Sequence, residues 1–121
     1  MAELKERKAR SDWIKYELDT KELDPPVVSL RLQPIESITN VDSWGGDGRI
    51  MLFSEVVLRK AMTCVAEWDL TTKGKPLPIE DPKIKERALR RLLGEKLKGQ
   101  KELLGNAIIG YAQNLDNFSK K

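Results

Sequence analysis

Few side chains here have the type and spacing for covalent or acid–base chemistry. The 121 residues contain no histidine. That removes the commonest general base and the commonest metal ligand, and with them every Ser–His or Cys–His nucleophile. The single cysteine, Cys64, lies in an apolar stretch, where a thiol packs as a small hydrophobe and stays protonated. Glu80 and Asp81 are adjacent carboxylates just ahead of Pro82. A helix N-terminus accounts for them, since the macrodipole favours acids there and proline suits the first helical position. A magnesium or calcium site would need several converging acids, and no such cluster stands out. The expectation is a non-enzyme with no cofactor and no metal.

Two further patterns bear on ligands. Residues 42–49, DSWGGDGR, hold three glycines within four positions. Glycine-rich loops that cradle phosphate also need a strand before, a helix after and a Lys with Ser/Thr at fixed spacing, and here the Lys and the spacing are missing. The stretch reads as a Gly-rich connecting loop anchored by Trp44. Between Lys83 and Lys101 there are eight basic residues and two acidic ones. That face defines the alternative function, a small DNA-binding regulator. A helix-turn-helix reader, however, carries polar base-reading side chains on its second helix, and 102–118 is mainly apolar. The net charge of +3 and a pI of about 9.0 are too small to imply nucleic acid alone.

The elements that would position any site centre on residues 50–79. Ile50, Phe53, Val57, Ala61, Cys64 and Trp68 recur at steps of three and four, which predicts a central helix over 50–68. Residues 69–79 break that pattern with two threonines, a turn at Lys73-Gly74, and Pro76 and Pro78 flanking Leu77. They read as an extended, Pro-containing arm. The candidate protein-interaction residues are Trp68, Leu70, Pro76, Leu77, Pro78 and Ile79. Leu77 and Ile79 could fill a neighbour's groove, or the arm could fold back as an edge on its own core. Both remain open at this point.

Around that centre the chain reads as one domain over 1–121 with an α+β fold. Residues 1–11 form a charged arm. Val28, Leu30 and Leu32 alternate with Ser29 and Arg31, the period of a strand, and Pro25-Pro26 and Pro34 bound it. If 13–18 is also extended, the two runs make an N-terminal antiparallel β-hairpin. A hairpin alone is marginal in water, so it must lie on apolar surface. Residues 35–40 suggest one helical turn. From Pro82 an apolar stripe at Ile84, Ala88, Leu89, Leu92, Leu93 and Leu97 gives a helix that Gly99 ends or bends. Leu104, Ala107, Ile108, Tyr111, Leu115 and Phe118 give a last amphipathic helix. The result is a mainly helical body of three or more helices after the hairpin. No apolar run approaches a membrane span. A lone cysteine and a charged start point to a reducing cytosol.

The segment VAEWDLTTKGKPLPI, with Trp68, Asp69, Gly74, Pro76 and Pro78, resembles a recurring stretch of tail assembly chaperones of long-tailed bacteriophages. There an apolar helix runs into a Trp, then an acid, a short polar turn with Gly, and Pro-Xaa-Pro. The order of a β segment such as VSLRL, a helix, the turn and C-terminal helices is similar too, so the resemblance covers roughly residues 27–119. ThrThrLysGly departs from the family's usually acidic turn. The resemblance implies a chaperone made late in infection in the host cell cytoplasm and absent from the mature virion. It implies coating of the tape measure protein and help in recruiting the tail tube protein, with self-association as a homo-oligomer. It also implies a frameshift-extended form of the chain.

Overall fold

The computed structural model describes residues 2, 9–35 and 53–118. The fold is α+β. Strands β1 (Ile14–Asp19) and β2 (Val27–Leu32) form the expected antiparallel hairpin, with Ile14 opposite Leu30 and Tyr16 opposite Val28. Helix α1 (Phe53–Cys64) runs directly into β3 (Val65–Trp68). Two short strands follow, β4 (Thr71–Thr72) and β5 (Lys75–Pro76). Then come α2 (Pro82–Leu92), β6 (Lys96–Leu97), α3 (Leu104–Gln113) and a 3₁₀ turn over Leu115–Phe118. The main sheet has the order β3-β2-β1-β6, and β4 and β5 form a separate pair. The Asp24–Pro25 peptide in the β1–β2 connection is cis.

Alternation makes this a one-sided sheet. Val28, Leu30 and Leu32 are buried while Ser29 and Arg31 between them stay partly open. Their cross-strand neighbours extend the apolar row: Leu30 faces Trp68, Leu32 faces Val65 and Leu18 faces Leu97. The helices cover that face, with α1 packed between α2 and α3. Val28, Leu32, Ala61, Val65, Ile108 and Phe118 have no exposed surface, and each fully buried side chain of Val or Leu size stabilises the fold by about 1.5–3 kcal/mol before entropy is counted. Gly105 allows the tight approach of α1 and α3. A Cβ there would lie 2.7 Å from Val57 Cγ1 and 3.2 Å from the Leu93 carbonyl oxygen.

The central helix stops at Cys64, four residues short of the expected Trp68. Ala61, Cys64, Val65 and Trp68 are all buried. Their three-and-four spacing therefore runs unbroken across a helix–strand junction, and periodicity alone cannot see the change. What ends the helix is a supply of donors from the residue after β2. Gln33 Nε2 donates to the Thr63 carbonyl at 2.5 Å and the Gln33 backbone N–H donates to the Cys64 carbonyl at 2.8 Å. These satisfy carbonyls that a helix end leaves unpaired.

Three other boundaries differ from expectation. The last residues of the expected N-terminal arm are tied down. Ser11 is 1% exposed, its N–H donates to the Leu32 carbonyl at 2.7 Å, and its hydroxyl accepts from the Leu32 N–H at 2.9 Å. Helix α2 starts as expected, with Asp81 capping the N–H groups of Lys83 and Ile84, but ends at Leu92 and does not reach Gly99. Gly99, at φ +76, instead turns the chain after β6. The sequence reading also missed β6 and β3, which complete the sheet. The Gly-rich loop at 42–49 and most of the expected turn at 35–40 lie outside the described residues. Among the described residues no helix is long and apolar enough to cross a membrane.

Candidate functional site: the hairpin after Trp68 and the groove beside it

Residues 69–79 are a hairpin folded back on the core, the second of the two arrangements left open for this extended arm. Strands β4 and β5 pair Thr71 with Pro76 and Thr72 with Lys75. The two turn residues, Lys73 and Gly74, have φ of 52 and 78. Positive φ at both positions is the type I′ geometry that matches strand twist, and it confirms the turn expected at Lys73-Gly74.

The hairpin's root is fastened to the core. The Leu77 N–H donates to the Leu70 carbonyl at 2.9 Å, and the Trp68 ring N–H donates to the Leu77 carbonyl at 2.7 Å. Asp69 locks the same root to β2. Its N–H donates to the Ser29 carbonyl at 3.1 Å, and its Oδ1 accepts from the Ser29 N–H at 2.9 Å. Trp68 and Leu70 are 8% and 9% exposed, and Leu77 and Ile79 pack partly against the core. Pro78 is half-buried and Pro76 is exposed. Of the six candidate interaction residues, only Pro76 is thus displayed as an open tip.

A groove of about 380 Å³ opens between this hairpin and α2. Leu70 and Leu77 form one wall, Ile84, Ala88 and Leu92 the other, and Leu23 from the β1–β2 connection joins them. Arg87, Arg91, Glu22 and two threonines make the rim. The groove unites two of the candidate residues, Leu70 and Leu77. Trp68, Pro76, Pro78 and Ile79 do not line it. Its α2 wall was missed at the sequence level, although Ile84, Ala88 and Leu92 already stood in the apolar stripe of that helix. The stripe serves the core first, with Ala88, Leu89, Leu92 and Leu93 all buried, so only the partly exposed Ile84 marks the groove side of the helix.

The basic range 83–101 is broken up by structure and pairing. Arg90 donates to both oxygens of Glu55, at 2.6 and 3.2 Å, and to Glu86 at 2.9 Å. The first of these bonds holds the Glu55 carboxyl below its usual range. Arg91 donates through Nε and a terminal nitrogen to Glu22, at 2.8 and 2.6 Å. Burial lowers the ammonium pKa of Lys85. Lys96 and Lys98 lie beyond the helix, in β6 and the turn after it.

Elsewhere two titrating groups are shifted by burial. Cys64 is fully buried, and desolvation pushes its thiol up to about 12, so little thiolate exists at neutral pH. Burial also raises Tyr16 to about 12. Among the described residues no three or more Cys, Asp or Glu side chains gather where they could hold a metal ion. A second open groove, about 620 Å³, lies between β1 and α3, with Tyr16, Ala107, Gly110 and Tyr111 in its lining. Trp13, just before β1, is 50% exposed. Compared with known families, curated proteins and solved structures, the chain finds no match.

Proposed function

We propose that the chain is a non-enzymatic chaperone of phage tail assembly. In this reading it coats the tape measure protein in the host cytoplasm, associates with its own copies along that client, and helps recruit tail tube subunits. The observation that carries the chaperone part is the groove between the hairpin and α2. Its walls are apolar, with Leu23, Leu77 and Ile84 partly exposed above a floor of the core residues Leu70, Ala88 and Leu92, a form suited to a segment of another protein. The tail-assembly part rests on the resemblance across Trp68, Asp69, Gly74, Pro76 and Pro78.

The experiment is static light scattering of a long, aggregation-prone helical protein of tape measure type, with and without the purified chain. Suppressed scattering near equal molar amounts is the expected result, together with concentration-dependent oligomers of the chain itself. Unchanged scattering combined with duplex DNA binding that falls steeply with salt would overturn the proposal in favour of the DNA-binding regulator.

A further inference from the structure

We infer that the groove between the hairpin and α2 takes an acidic amphipathic helix about two turns long. The inference rests on the protein-binding reading above and gives the partner its chemistry. Length comes first. The α2 wall runs from Ile84 to Leu92, and eight steps of 1.5 Å make about 12 Å, or roughly two helical turns. A partner helix laid along it would set apolar residues at i, i+3, i+4 and i+7 against Leu70, Leu77, Ile84 and Ala88.

Charge decides the partner's polar edge. In the groove lining Glu22 is the one carboxylate, and Arg91 already engages it at 2.6 Å. Arg87, on the same rim, is exposed and has no carboxylate partner among the described residues. The hairpin that forms the opposite wall carries exposed Lys73 and Lys75 at its tip, outside the groove lining. The rim thus offers Arg87 as a cation and no free carboxylate, with the two tip lysines adding positive charge on the hairpin side. An acidic helix edge would pair with them, while a basic edge would meet like charge, and that difference sets specificity and encounter rate. Thr71 and Thr72 supply further hydroxyls that can donate to carboxylates.

The test uses two fluorescent peptides of about four turns, both with leucines at i, i+3, i+4 and i+7. One carries glutamates on its flanks and the other carries lysines. Anisotropy with the intact chain should show binding of the glutamate peptide, weakening as salt rises, and no binding of the lysine peptide. Arg87→Glu should weaken the glutamate peptide by about tenfold or more. Arg59→Glu makes the same change in net charge on α1, outside this groove, and should leave binding nearly unchanged. Equal weakening by both substitutions means general charge attraction and overturns the inference. So does equal binding of both peptides, or displacement of the glutamate peptide by duplex DNA. The light-scattering assay separates the two levels. If Arg87→Glu suppresses client scattering as well as the native chain does, the acidic-helix inference fails while the chaperone reading stands. If the native chain itself suppresses nothing, the chaperone reading fails.

Discussion

The root and the tip of the 69–79 hairpin are a few residues apart and differ in what holds them. At the root, Trp68, Asp69, Leu70 and Leu77 share four hydrogen bonds among themselves and with Ser29. At the tip, residues 71–76 are all exposed, and only a short ladder and a type I′ turn shape them. The same segment therefore performs two tasks. Its root belongs to the core of the fold, and its tip is held out as a surface. The groove lies where the two meet, because Leu70 and Leu77 face both the core and α2. Substitutions at the root should act mainly through stability, and those at the tip should change stability little and act mainly through binding.

The largest effect belongs to Trp68. Replacing it with Ala removes a side chain that is 92% buried, given its 8% exposure, and leaves the Leu77 carbonyl without its indole donor. Trp68→Ala should lose about 3–5 kcal/mol of stability, read as a lower urea midpoint with little change in slope. Trp68→Phe keeps most of the apolar bulk and should lose about 1–2 kcal/mol, mainly the hydrogen bond. If both variants were as stable as the native chain, the root would not be part of the core and the contrast with the tip would collapse.

How much of this was legible before the structure follows from what each signal measures. The period of two in Val28, Leu30 and Leu32 gave β2, because a one-sided strand must alternate. The Lys73-Gly74 turn was legible because few residues accept positive φ at both turn positions. The Asp81-Pro82 start of α2 was legible because capping is local. Strand β3 was not, since its buried residues continue the helical spacing of Ala61 and Cys64. Only Gln33, some thirty positions away in the chain, shows where the helix must stop. Strand β6 was illegible for a related reason. Two residues carry no period, and only the pairing of Leu97 with Leu18 makes them a strand. The groove needed both α2 and the hairpin in place, and no window of sequence holds their relative position.

The core next to the root should also be visible as a pH dependence. Burial raises the Cys64 thiol from 9.0 to about 12 and the Tyr16 hydroxyl from 10.0 to about 12. In both cases the folded chain keeps a proton that the unfolded chain releases earlier. The associated stability is fully present below the unfolded value and is lost as pH rises toward the folded one. Urea melts should therefore show constant stability up to about pH 9 and a decline from there toward about pH 12. Cys64→Ala should delay the onset to about pH 10, leaving the Tyr16 contribution. An onset unchanged by the substitution would mean that Cys64 reaches solvent in the native state.

The tip should give the smallest effects, and they sharpen the comparison most. Gly74 has φ +78 and open space where a Cβ would go, so Gly74→Ala pays only for left-handed backbone, about 1 kcal/mol. Lys73 already occupies that region at φ 52. Lys73→Asn should be neutral or raise stability by up to about 0.5 kcal/mol, because asparagine suits the first position of this turn. Pro76 is exposed and lines no groove, and Pro76→Ala should stay within about 0.5 kcal/mol of native stability. On the binding side, Lys73→Asn removes a cation at the hairpin tip, outside the groove lining, and should weaken the glutamate peptide less than Arg87→Glu does. A fall in stability at Pro76 comparable to that of Trp68→Phe would show that the tip is carried by the core after all. Stability held flat with peptide affinity lowered at Lys73 would place the division between fold and recognition inside the hairpin, between Leu70 and Thr71 on one strand and between Pro76 and Leu77 on the other.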